Sequence, residues 1–98
     1  MRYENEAMAV SFEIAERFTV REQLAYRAAV FAAVGETGYV RYWLAAQTII
    51  RDWSCELVPD PATLDLDEVY DVAIADIIQW TANTVAGHMI GLETPPKN

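Results

Sequence analysis

The chain holds one cysteine, one histidine and one lysine, and each shortage closes off a class of function. Cys55 alone cannot form an internal disulfide or a redox pair, which fits a reducing compartment. One Cys and one His cannot supply the four closed ligands of a structural zinc site. The four glycines build no phosphate-cradling loop, because Gly35 and Gly38 flank Glu36, whose charge repels phosphate. No apolar run approaches the roughly 18 residues of a membrane span. The opening Met-Arg-Tyr-Glu-Asn-Glu also lacks the apolar stretch and cleavage site of a signal peptide. A cytoplasmic protein without an anchor is therefore expected.

Cations are scarce where acids are dense. The formal charge is −8, and residues 54–98 hold eight acids (Glu56, Asp60, Asp65, Asp67, Glu68, Asp71, Asp76, Glu93) against Lys97, a local balance of −7. Such a chain repels nucleic-acid phosphates and anionic membranes. Residues 1–53 are nearly balanced, with six arginines facing seven carboxylates. A cationic partner would prefer the C-terminal half.

What is present is apolar substance: 53% hydrophobic residues in 98 positions, enough for one core and one domain. Residues 1–10 and 92–98 are expected to be loose. In Ser11–Val20, Phe12, Ile14, Phe18 and Val20 alternate as in a strand, although Met8, Phe12 and Ala15 also share a helical side, so both readings stay open. Thr19 and Glu22 stand at capping-box spacing and predict a helix from Val20 to Val34, with Leu24, Ala28 and Phe31 on one side and Gly35 as its stop. A second helix is expected from about Gly38 to Trp53, with Tyr39, Tyr42, Trp43, Ala46, Ile49, Ile50 and Trp53 along it. The prolines of Ser54–Pro61 mark a loop. Asp65 and Glu68 repeat the capping spacing and predict a third, longest helix to about Ile90. The fold class expected is thus mostly α, a small bundle of about three helices with a short extended N-terminal segment.

No catalytic set assembles from these residues. His88 lies on a helical stripe between Val85 and Leu92, which suits a packing role, and Cys55 has no cation nearer in sequence than Arg51. Asp71 and Asp76 lie about 140° apart around a helix, which disfavours a shared acid-base pair. Asp65–Glu68 lacks the alternating ligands and glycine turn of a calcium loop. Neither enzyme nor cofactor nor metal is expected. Surface aromatics are then candidates for protein contact, since Trp and Tyr are enriched in interface hot spots. The expected partner-binding residues are Tyr39, Tyr42 and Trp43, together with the acids Asp67, Glu68 and Asp71.

The strings Phe18-Thr-Val-Arg-Glu-Gln-Leu-Ala-Tyr26, Tyr42-Trp-Leu44, Ile50-Arg-Asp-Trp53, Leu64-Asp-Leu-Asp-Glu68 and Pro95-Pro-Lys-Asn98 together resemble the tail assembly chaperones of long-tailed bacteriophages. The resemblance covers residues 12–98 in general character. It implies a non-enzymatic protein of the host cytoplasm that coats the tape measure protein, helps to recruit tail tube protein and self-associates. In that family a ribosomal frameshift near the end of the gene often gives a longer product, which a nucleotide sequence would reveal. The acid-rich half supports a different class: an inhibitor that mimics nucleic acid and blocks a basic defence or DNA-binding protein.

Overall fold

The computed structural model describes residues 1–33, 35, 36 and 38–93. Its first strand, β1 (Arg2–Asn5), turns through a single 3-10 turn at Glu6–Met8 into β2 (Val10–Glu13). Helices α1 (Val20–Ala32) and α2 (Tyr39–Ala46) follow, then β3 (Arg51–Cys55), a second 3-10 turn at Pro61–Thr63, the one-turn helix α3 (Leu66–Val69) and the long α4 (Ala75–Glu93). The strands form one antiparallel sheet with β2 in the centre. The expected three-helix bundle is therefore corrected to a mixed α/β fold of four helices and a three-stranded sheet.

The departures run along the whole chain. Residues 2–5, expected to be loose, pair with β2 in the register Arg2↔Glu13 to Asn5↔Val10. Of the strand-like alternation of Phe12, Ile14, Phe18 and Val20 only the beginning lies on a strand: β2 ends at Glu13, Phe12 and Ile14 are buried, and Val20 opens α1 exposed to solvent. The second helix stops at Ala46 and does not reach Trp53. Its last turn tightens through Thr48 N–H to Ala45 O and Ile49 N–H to Ala46 O, while the Thr48 hydroxyl donates to Ala45 O. The β-branched run Thr48-Ile49-Ile50 then enters β3, where backbone groups find β2 as a partner. Asp52 adopts φ +49° at the irregularity between the pairs Ser11↔Ser54 and Glu13↔Arg51, a bulge that gives β3 one residue more than the facing strand.

The third predicted helix is broken in two. Asp65 and Glu68 do form the reciprocal capping box, at 2.9 Å and 3.3 Å, but α3 lasts one turn. Asp71 Oδ1 accepts from Ala73 N–H at 2.9 Å, so the side chain competes with the helix ladder and turns the chain before α4. At its far end α4 runs past the expected stop at Ile90, and Leu92 packs half-buried against the core. The rest of the expected loose tail, residues 94–98, lies outside the described residues. Gly38, at φ +54° and ψ −137°, opens α2 in a conformation that side chains resist.

At the start of α1 the capping box forms as the spacing demands: Glu22 N–H donates to Thr19 Oγ1 at 3.1 Å and Thr19 N–H to Glu22 Oε1 at 3.0 Å. The Thr19 backbone N–H, and then its side chain, hold the Glu22 carboxyl below the usual glutamate value. The folded chain thus favours ionised Glu22. Its contribution is complete above the ordinary glutamate value and is lost as pH falls through the lower folded midpoint. A carboxyl titration followed by NMR should place Glu22 below an ordinary glutamate, and Thr19→Ala should move it part of the way back. Equal midpoints in both chains would contradict the assignment.

Two adjoining clusters make one interior. Trp43, Val40, Val58, Val69 and Ile78 centre the first, and Phe12, Ile14, Ala45, Ala46, Val85 and Met89 the second. Phe12 joins the sheet to α4, its ring 5.5 Å from that of Trp80 and 6.1 Å from that of Trp53. Helix α4 packs chiefly on α2, which in turn carries α1.

Candidate functional site

Helix α2 is eight residues long, less than half of α4, and it lies between α1 and α4. A short spacer between longer helices leaves an open apolar groove. Its floor is Tyr26, Val30 and Met89, all buried, and its rim is Phe31, Tyr42 and Ile90, with Arg27 at the edge. The groove encloses about 180 Å³. Phe31 and Ile90 are 66% and 62% exposed, so large apolar side chains stand in water on both banks. Arg41, from the first turn of α2, donates its Nε–H to Val30 O at 3.1 Å and ties the last turn of α1 down beside the groove. An apolar floor with aromatic banks and one cation can take up the hydrophobic stripe of a foreign helix.

The expected contact residues divide. Tyr42 lies on the groove rim. Tyr39 is half-buried and packs against the first core cluster. Trp43 is fully buried, so its proposed place in an exposed aromatic patch is corrected: one step along α2 from Tyr42 turns its side chain from the surface to the core. Asp67, Glu68 and Asp71 are exposed around α3 and belong to a different surface from the groove lining. The Glu68 carboxylate accepts from Asp65 N–H and that of Asp71 from Ala73 N–H, and the Tyr70 hydroxyl donates to the Glu36 carboxylate.

Sequence reasoning missed Phe31 and Ile90. It set Leu24, Ala28 and Phe31 together on one side of α1, whereas the fold buries Tyr26 and Val30. The pair Tyr26 and Val30 has the same four-residue spacing as Leu24 and Ala28, so periodicity carried both answers.

The two residues that chemistry would use are otherwise occupied. His88 Nε2 donates to Ala15 O at 3.0 Å, and Nδ1 shares a hydrogen bond of 2.8 Å with the Tyr3 hydroxyl. The imidazole thereby latches β1 and the segment after β2 onto α4. Cys55 is buried in the first core cluster. Among the described residues no group of three or more His, Cys, Asp or Glu side chains is placed to hold a metal ion. Likewise, none of the described helices is long and apolar enough to cross a membrane. No protein-family profile, no curated protein and no solved structure matches the chain.

Proposed function

We propose that this chain is a non-enzymatic tail assembly chaperone of the long-tailed phage type, which holds an amphipathic helix of a tape measure protein in the groove between α1, α2 and α4 and assists tail tube assembly in the host cytoplasm. The observation that carries the reading is the groove itself, with its buried floor and the exposed rim of Phe31, Tyr42 and Ile90. A client helix would replace water over that rim with apolar contact. The charge of −8 suits the second requirement of a holding protein, which is to keep an apolar client dissolved. The short strings shared in character with the tail assembly chaperones supply the identity of the client.

The test is co-expression with a tape measure protein encoded beside this chain. The client should stay in solution and co-elute with it. Tyr42→Asp combined with Ile90→Asp, both at exposed positions, should weaken that complex by about 30-fold or more while leaving far-UV circular dichroism unchanged. A client that still pellets, or one held equally by the double variant, defeats the proposal.

The nucleic-acid mimic rests on one observation, the exposure of Asp65, Asp67, Glu68 and Asp71 within seven residues. Three of those four carboxylates accept backbone N–H groups, which gives them local structural work. Asp67→Asn, Glu68→Gln and Asp71→Asn together would abolish salt-dependent capture of a basic protein, but would leave a groove-held client in place.

A further inference from the structure

The groove between α1, α2 and α4 is lined by a single charged side chain, the exposed Arg27, among apolar and aromatic ones. Arg27 stands four residues before Phe31, so the two share the bank of α1 that overlooks the buried floor of Tyr26 and Val30. A helix laid along α1 with a side chain against Phe31 passes Arg27 one turn, about 5 Å, further on. On the footing of the client groove, we propose that the client helix carries a carboxylate, Glu or Asp, three or four residues from its apolar anchor, and that Arg27 receives it. The client is then an apolar stripe with an acidic border.

Volume sets the apolar part of that partner. A dry cavity of about 150 Å³ takes up one benzene molecule. The groove encloses about 180 Å³, so one large side chain, Leu, Met or Phe, fills it. The client's neighbouring apolar residues, a turn away on either side, lie against the exposed Phe31 and Ile90.

Charge sets the polar part, and it runs against the charge of the whole. A chain of −8 draws cationic partners at long range. Yet in α1 and α2 Arg21, Arg27 and Arg41 face Glu22 alone, a balance of +2 that leaves −10 for the remaining residues. Glu22 lies five residues before Arg27, about 140° round the helix, where Thr19 N–H holds its carboxylate. The Arg41 guanidinium is tied to Val30 O, which keeps its charge beside the groove. Helix α4 carries no carboxylate between Asp76 and Glu93. A lysine on the client's border would therefore meet like charge, whereas a carboxylate can accept two N–H groups from the planar fork of Arg27.

Two blocked peptides of about 18 residues, long enough to hold a helix, test the proposal. They share one Leu and Phe stripe and differ only four residues from the central Phe, where one has Glu and the other Lys. Net charge by itself makes the Lys peptide the better ligand of the full chain. The site makes the opposite demand: in fluorescence anisotropy at about 0.15 M salt the Glu peptide should bind about fivefold tighter or more. Arg27→Glu, at an exposed position, should reverse that order with unchanged circular dichroism, and Arg27→Lys should keep it. Tyr42→Asp combined with Ile90→Asp should release both peptides. Equal binding of the two peptides, a lead for the Lys peptide, or a Glu preference that persists in Arg27→Gln would overturn the acidic border while the groove stands. If neither peptide binds, the groove falls and the border with it.

Discussion

A Trp43→Ala chain should lose about 3–5 kcal/mol of stability, the largest effect expected of any single side chain here. Trp43 is the largest of the fully buried residues, and its ring meets that of Trp53 at 5.9 Å in an edge-on contact. Alanine at this point removes the centre of the first core cluster and leaves a cavity between α2 and the packed elements around it. A domain of this size has about 5–15 kcal/mol in total, so the variant keeps at best a part of it. Urea unfolding followed by circular dichroism measures the loss. Trp43→Phe should cost far less. The indole Nε1 is buried and has no hydrogen-bond partner among the described residues, so phenylalanine removes an unsatisfied donor along with some volume. If alanine at this position cost less than about 1 kcal/mol, the core would not be centred where the structure puts it.

Phe12→Ala should be nearly as severe, again about 3–5 kcal/mol, and it is the sharper test of the α/β fold. In a three-helix bundle Phe12 would belong to a flanking extended segment, and its loss would be mild. In the observed fold it is fully buried in the central strand, with the rings of Tyr3, Trp53 and Trp80 at 5.7, 6.1 and 5.5 Å. Its removal loosens β1, β3 and α4 together. Phe31→Ala is the matching control, because an exposed ring on α1 should change the stability of the dilute single chain by less than about 0.5 kcal/mol. A large loss at Phe12 beside a small one at Phe31 is the pattern expected of the sheet. The reverse pattern would put Phe31 in the core and Phe12 outside it.

The candidate site was legible only in part. Tyr42 was found because a tyrosine on an amphipathic helix is a fair interface candidate, yet Trp43 was chosen on the same grounds and lies in the core. Residue type does not say which of two neighbours faces water. That is decided by the packing of α2 between α1 and α4. Only the fold shows the Arg41 guanidinium holding Val30 O at the edge of the groove.

What the sequence determined by itself are the features settled within a few residues: the starts of α1 and α3 and the gathering of acids after residue 53. The capping boxes follow from spacing alone, because Thr19 with Glu22 and Asp65 with Glu68 satisfy each other's backbone donors at three residues' distance. The tertiary structure decided the rest. Residues 51–53, expected as the end of a helix, become part of a strand because β2, some forty residues away in the chain, supplies the hydrogen bonds. The buried side of α1 was likewise chosen by long-range packing, which no local period encodes when apolar residues lie on every side of a helix.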